Sequence, residues 1–489
     1  MVYDDLKKAE AIPDASSMIE TFRAIGYNLE TAVADIVDNS ISAHAKNIFI
    51  NRIWHGGKSI ITIKDDGDGM NSLEIIQAMR PGAQNPLSER DETDLGRFGL
   101  GLKTASFSQC RKLSLLSKRK DCAPAFWSWD LDYVALSNKW ELIRWIPDEF
   151  VHELDDSLSG TLIVWTDLDR VLPLDTSETD ENAKGKFSDS LDRVKRHVGM
   201  TFHRFIEDRS INIYWCNHKI EAWNPFCIDE PKTQVQPTEC IYGGATMKGY
   251  VLPHKNNFSS DQAFKKAEGI KGYPAQQGFY VYRGNRLLLA GDWLGLFRKE
   301  EHYKLVRIQI DLPNTLDSDW QIDIKKSKAN PPAVCCEQLK AYANSVRNIG
   351  MEVYRHRGKV LKQRAGQTFQ PLWQEKKKDN KWSFVINRDH QMVKDLKEMA
   401  KNKPEQAIET LLKFVEETIP TKPIYINESQ NEDSEKMPFS DFDISFIQQI
   451  LQQMYDNQIS EGKTSDQAKA FLKTIEPFNN FEDLIDELL

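Results

Sequence analysis

The sequence predicts an α+β protein whose first part is a sandwich with helices on one face of a mixed sheet. Three observations carry this reading. An amphipathic helical pattern at Glu30 to Ala45 runs into two alternating stretches, Asn47 to Trp54 and Ser59 to Lys64. A polar loop, Pro81 to Arg97, then leads through a glycine cluster into further strand patterns. Finally, the chain changes character along its length. Ser210 to Leu312 is rich in strand patterns, and Asp389 to Leu489 reads mostly as helix.

The elements follow in order. Ser16 to Ala24 reads as a short helix with a serine cap and Glu20 close behind, broken by Gly26, Tyr27 and Asn28. In the next helix Val33, Ile36, Val37, Ser40 and Ile41 share one side, and Asp35, Asp38, Asn39 and Ser42 the other. Asp35 and Asn39 stand four residues apart and therefore at one angular position. Two readings of that polar face stay open: a solvated surface, or a carboxylate and an amide held together for chemistry. The two strands that follow are joined at His55-Gly56-Gly57-Lys58, and the second runs into Asp65-Asp66-Gly67-Asp68-Gly69-Met70. Leu73 to Met79 is helical. Lys112 to Ser117, Ala125 to Leu131, Lys139 to Trp145 and Gly160 to Trp165 are predicted strands, and Ser188 to Ile206 a connecting helix. Pro331 to Tyr354 is helical. These patterns divide the chain into 1–200, 201–354, a basic linker 355–388 and an acidic helical region 389–489.

Composition narrows the class. With 40% apolar and 10% aromatic residues, the 489-residue chain can build several cores. Its seven cysteines include no CxxC pair, and the simplest reading is reduced thiols in the cytoplasm. The start lacks the basic and apolar segments of a signal peptide, and no apolar run has the length of a membrane span. Net charge is −9, yet residues 401–489 hold 18 Asp and Glu against 8 Lys and Arg. The preceding 400 residues therefore sum to +1, which permits a local basic surface but no chain-wide one.

Two motifs point to chemistry. Asp65 ends a strand before a Gly67-x-Gly69 turn, a place for a buried carboxylate to accept from an amine beside exposed backbone, or simply a turn. Gly96, Gly99 and Gly101 precede Lys103 and Thr104 at a helix start, the parts that anion binding requires. This cluster fits neither the Walker nor the Rossmann pattern.

Taken together, "ADIVDNSISAHA", "DDGDGM" and "GRFGLGLKTAS", followed by "SGTLIVW", resemble the GHKL ATPase superfamily, which includes DNA gyrase, MutL, heat-shock chaperones of the ninety-kilodalton class and Morc-like proteins. The resemblance covers roughly residues 15–200 and is nearest in flavour to bacterial Morc-like members. It implies a GHKL (Bergerat) ATP-binding sandwich that takes ATP and Mg²⁺. Asn39 would hold the metal. Asp65 would take the adenine amine, supported by Thr161, and Gly67, Gly69 and Met70 would line base and ribose. Gly96, Arg97, Phe98, Gly99, Leu100, Gly101, Leu102, Lys103 and Thr104 would hold the phosphates beneath a lid at 81–97. Asp35 stands where the superfamily usually has glutamate as general base, one methylene shorter.

The resemblance extends to a β-rich transducer domain around Gly278 to Leu289. In "WQIDIKKSKANPP", Lys326 or Lys325, with Lys328 a further candidate, would reach a phosphate. It implies an ATP-driven homodimerising switch in a DNA-linked process such as repair, remodelling or defence against foreign DNA. The basic stretch 354–378 is a candidate DNA contact, and the C-terminal helices a candidate protein contact. Two rivals are a histidine kinase and a non-hydrolysing, nucleotide-gated adaptor or chaperone-like protein. The kinase is disfavoured, because kinases lack a base before the asparagine. The adaptor is kept alive by the aspartate at position 35.

Overall fold

The computed structural model describes residues 11–82, 101–323, 329–355 and, with gaps, 372–488. Residues up to 357 form one compact unit and 358–489 another.

The first unit opens with α1 (Ala15–Ala24), capped by Asp14, whose side chain accepts from the Ser17 N–H at 2.8 Å. The cap is therefore the aspartate before the expected serine. α2 (Leu29–Ser42) starts at Asn28, whose amide oxygen accepts from Thr31 N, and ends where His44 turns to φ +60°. β1 (Asn47–Ile53) and β2 (Ile60–Asp65) pair antiparallel, and α3 (Ser72–Met79) begins in a capping box of Asn71 and Glu74. α4 (Gly101–Phe107) leads to β3 (Lys112–Lys118) and β4 (Ala125–Asp130). Asp130 caps α5 (Leu131–Ser137), and β5 (Gly160–Thr166) follows. Lys139 to Trp145, expected as a strand, forms only one bridge, Ile143 to Ser128. Its alternation reflects a segment lying along the sheet rather than joining it.

α6 (Glu181–Thr201) and α7 (His203–Glu207) carry the chain across to β6 (Asn212–Trp215) and β7 (His218–Lys219). The seven-stranded sheet has the order β4-β3-β5-β2-β1-β6-β7, antiparallel except where β1 meets β6. Period-two alternation explains its two faces. Ile61, Ile63, Leu113, Leu115, Ile163 and Trp165 meet Ile19, Val33, Ile36, Val37, Phe187 and Val198 from the helices. Ile60, Leu116, Leu162 and Val164 point the other way and are covered by Ile146, Phe150 and Leu154. Each such fully buried Val, Ile or Leu contributes about 1.5–3 kcal/mol relative to exposure.

The second sheet follows without a break in the unit. β8 (Gln234–Cys240), β9 (Thr246–Val251), α8 (Asp261–Ala267), β10 (Gly278–Arg283), β11 (Arg286–Asp292) and β12 (Val306–Leu312) come in turn. The sheet order is β11-β10-β12-β9-β8, and α9 (Ala333–Arg355) packs on it through Leu339, Ala343 and Val346. The β10–β11 hairpin turns on Gly284 and Asn285, both with positive φ (53° and 66°).

In the second unit, Trp373–Lys378 pairs with Lys381–Ile386 as an antiparallel hairpin. Lys376, Lys377 and Lys378 thus stand in a strand where the sequence suggests a linker. Helices Ile444–Ser460, Ser465–Lys473 and Glu482–Asp486 share a core of Ile447, Leu451, Tyr455, Leu472 and Ile485. All seven cysteines are free thiols. Among the described residues, no helix is long and apolar enough to cross a membrane.

Candidate active site

The site grows from the junction of α2 with the end of β2. Asp65 is buried, at 7% exposure, and every donor on it comes from a different direction. Ser40 Oγ donates to Oδ2 at 2.8 Å, and Gly67 N–H donates to Oδ1 at 3.0 Å. Burial pushes the Asp65 carboxyl above its usual range, while the Ser40 hydroxyl and the Gly67 and Thr161 N–H groups favour its charged form. Thr161 is the cross-strand partner of Asp65 on β5. Its Oγ1 lies 2.8 Å from Ser117 Oγ, which also accepts from Met70 N–H at 2.8 Å. Ser117, on β3, is the cross-strand partner of Thr161, so β3 is tied to the strand beside Asp65 and to the turn after it.

The glycines have reasons inside the protein. Gly69 has φ +67°, and a Cβ there would sit 1.9 Å from the Lys118 carbonyl oxygen. A Cβ on Gly67 would meet the Ala43 carbonyl oxygen at 2.6 Å. The turn therefore lies tight against the ends of α2 and β3, a constraint that adds to any need for ligand approach.

Before Ser40, the same helix carries two buried acids, Asp35 at 3% and Asp38 at 1% exposure. Both acids are covered, while Asn39 and Ser42 on the same face stay exposed. Tyr27 Oη donates to Asp35 Oδ2 at 2.8 Å, and burial with the nearby Asp35 charge drives the Tyr27 hydroxyl well above its ordinary value. Arg286, from β11, lies on the same face: Nε donates to both Asp38 oxygens at 2.8 Å, and Nη2 stands 3.5 Å from Asp35 Oδ1. A Cβ on Gly101 would be 3.6 Å from Asp35 Oδ2, so the start of α4 closes over this acid. Asn39, four residues beyond Asp35, is exposed. Thr104 is fully buried and hydrogen-bonded to Tyr27. Lys103 Nζ donates to the Ala78 carbonyl at 2.9 Å, tying α4 to α3, and burial lowers it to about 8.

The structure thus ties Asp65 to Gly67 and Thr161, with Met70 joined to them through Ser117, and sets Asp35 beside Gly101 and, through Tyr27, Thr104. Asn39, Gly69, Leu102 and Lys103 lie on the same helices and turn. Gly96, Arg97, Phe98, Gly99 and Leu100 lie outside the described residues, as do Lys325, Lys326 and Lys328. Sequence reasoning missed Tyr27, Ser40 as a partner of Asp65, Ser117 and Arg286. A hydroxyl on an otherwise apolar helix face was the available signal for Ser40. Nothing local marks Arg286, which lies 248 residues from Asp38. Among the described residues there is no cluster of three His, Cys, Asp or Glu able to hold a metal. A hard cation held by one amide and by ligand phosphates requires no such cluster.

Residues 27–161 match the family described as histidine kinase-, DNA gyrase B-, and HSP90-like ATPase. The chain is similar to ATPase morc-1 of Caenorhabditis elegans, 28% identical over 116 residues, 24% of this chain and 13% of that protein. It is similar to the DNA mismatch repair protein MutL of Coxiella burnetii, 35% identical over 95 residues, 19% of this chain and 16% of that protein. MutL of Clostridium beijerinckii is 36% identical over 93 residues, 19% of this chain and 14% of that protein. The chain therefore spans less than a fifth of these relatives' lengths. The matched segment contains α2, the Asp65 turn and α4 and ends at Thr161, and over those residues the chain is similar to the histidine kinase-, DNA gyrase B- and HSP90-like ATPase family.

Proposed function

We propose that the chain binds ATP with Mg²⁺ at this site and hydrolyses it as a conformational switch. The observation that carries the reading is Asp65: a buried carboxylate held from two sides by Ser40 and Gly67, at the mouth of a helix whose next turn carries Asp35. Such a group accepts from the exocyclic amine of adenine. The donor set fits the metal as well, since Asn39 offers an exposed amide oxygen one turn from Asp35. When bound, Mg²⁺ would neutralise charge on the phosphates.

Asp35 takes the proton of the attacking water in this reading. Its second oxygen is fixed by Tyr27, which aims the carboxylate toward the start of α4. Lys103 and Thr104 serve the phosphates from that helix, with Gly96 to Gly101 before them, and Lys326 or Lys325 supplies charge from the second domain. Dimerisation through the ATPase domain on ATP binding, and coupling to DNA, belong to the same proposal. The DNA link is supported by the similarity to the DNA mismatch repair proteins MutL. Its candidate contact is the segment 354–378.

One observation favours a second reading, a non-hydrolysing nucleotide-gated adaptor. Asp35 is the shorter acid and is already engaged by Tyr27 and Arg286. Phosphate release separates the two. Wild type, Asp35→Asn and Asn39→Ala are assayed with ATP and Mg²⁺, with and without DNA. Release that falls about 100-fold or more in Asp35→Asn supports hydrolysis through this acid. Equal release by wild type and Asp35→Asn removes Asp35 as the base. Tight ATP binding without release selects the adaptor.

A further inference from the structure

Arg286 is the one buried cation that reaches the α2 acids from the second sheet among the described residues. It is 3% exposed, and its Cζ lies 5.9 Å from the centre of the Phe202 ring. Its three nitrogens divide their work. Nε spans both oxygens of Asp38 at 2.8 Å, Nη1 donates to the Leu287 carbonyl at 3.2 Å, and Nη2 faces Asp35 Oδ1 at 3.5 Å.

The first two contacts anchor the guanidinium. The third is longer than a hydrogen bond and shorter than the limit of an ion pair, so small movements change it. The anchor itself is set by the second sheet. Arg286 begins β11 directly after the Gly284-Asn285 turn, and Arg283 on the other side is held by Asn314 and Asp317, at 3.2 and 3.1 Å. A shift of that hairpin relative to α2 must therefore move a buried positive charge toward or away from Asp35.

Among the described residues, the groups set near Asp35 are Tyr27 before α2, itself bonded to Thr104 of α4, Asp38 on its own helix, Gly101 at the start of α4, and Arg286. His197 of α6 lies behind, in the field of Arg286 and Asp38. Arg286 is the cation of this set, and Asp38 competes for it.

We propose that Arg286 is a positioning residue through which the second sheet sets the charge and aim of Asp35, so that hydrolysis responds to that sheet's position. This rests on the reading of Asp35 as the base. The rival is a purely structural pair, in which Arg286 and Asp38 join two domains and leave Asp35 untouched.

The test uses the full chain, with Arg286→Lys, Arg286→Met, Asp38→Asn and Asp35→Asn. For each, kcat and KM for ATP are measured across pH, with thermal melting and equilibrium binding of a non-hydrolysable ATP analogue alongside. Arg286→Lys keeps the charge and loses the fork; kcat is expected to fall about tenfold with analogue affinity within about threefold. In Arg286→Met the acid limb of the kcat profile moves to higher pH. Asp38→Asn frees the guanidinium for Asp35, and the same limb moves to lower pH, an opposite displacement that lost packing does not produce. Asp38→Asn decides the matter if the Arg286 variants do not fold. Unchanged kcat profiles in all folded variants, or kcat and affinity falling together with melting temperature, overturn the inference. Equal phosphate release by Asp35→Asn and wild type instead overturns the underlying reading, and the inference with it.

Discussion

Ser40 Oγ donates to Asp65 Oδ2 at 2.8 Å, and so fastens the carboxylate at the end of β2 to the middle of α2. The bond leaves Asp65 aimed and acceptor-only. Asp65→Asn keeps the shape and replaces one acceptor oxygen with a donor. We expect nucleotide affinity to fall by about 10- to 150-fold, the equivalent of about 1.5–3 kcal/mol for a charged hydrogen bond. Calorimetric titration with an ATP analogue checks this, and affinity within a factor of about two of wild type would remove Asp65 from the site.

Tyr27 touches Asp35 and Thr104. Its hydroxyl fixes one Asp35 oxygen and is tied to Thr104, so Tyr27→Phe removes aim without removing charge. The expected cost in stability is about 1 kcal/mol. Turnover should fall about 3- to 30-fold with analogue affinity unchanged within about twofold. Parallel loss of binding and turnover would show instead that Tyr27 shapes the whole pocket.

Gly69 tests the turn. Its φ of +67° and the 1.9 Å approach of a Cβ to the Lys118 carbonyl leave no room for alanine. Gly69→Ala should cost at least about 1–3 kcal/mol and abolish nucleotide binding together with it. Thermal melting gives the first number and analogue titration the second. A variant of wild-type stability would contradict the close approach.

Lys103 supplies a pH signature. Burial lowers it from its usual 10.5 to about 8, so between those values the unfolded chain holds the proton and the folded chain does not. Stability linked to this lysine therefore rises with pH across that window. A phosphate near Nζ favours the charged form, so nucleotide binding near pH 8.5 should take up roughly half a proton or more, and affinity should fall as pH rises. Calorimetry in buffers of different ionisation enthalpy measures the uptake. None in the wild type, or uptake that persists in Lys103→Met, would leave Lys103 as a brace to Ala78.

Much of this architecture is legible in local patterns. The 3.6-residue stripe of α2, the period-two strands around it and the glycine turn after Asp65 each follow from neighbours a few residues apart. What escaped is long-range or hidden by competing signals. Lys139 to Trp145 alternates like a strand, yet Asp130 caps α5 just before it and turns the chain off the sheet. The basic run at Lys376 reads as solvated linker because charge outweighs the strand signal of Trp373 and of Trp382 to Ile386 opposite. The polar face of α2 was open to two readings because its cover comes from Tyr27 and from Arg286, far away in sequence. A helix can announce its own amphipathicity but not the identity of a charge arriving from another sheet.

The seam between the two sheets has a practical bearing on how this domain is handled. Besides Arg286 on Asp38, His203 Nε2 lies 2.9 Å from Tyr282 Oη, and Arg204 stacks on the Tyr282 ring and pairs with Asp311. A fragment cut after the first sheet, near residue 207, would retain every element of the matched family segment. It would also carry Asp35 and Asp38 with their guanidinium amputated, and a buried carboxylate stripped of its partner costs several kcal/mol or takes up a proton. Such a fragment would misreport the charge of the site, and the smallest faithful version of this unit extends at least through β11 and the strands that hold it.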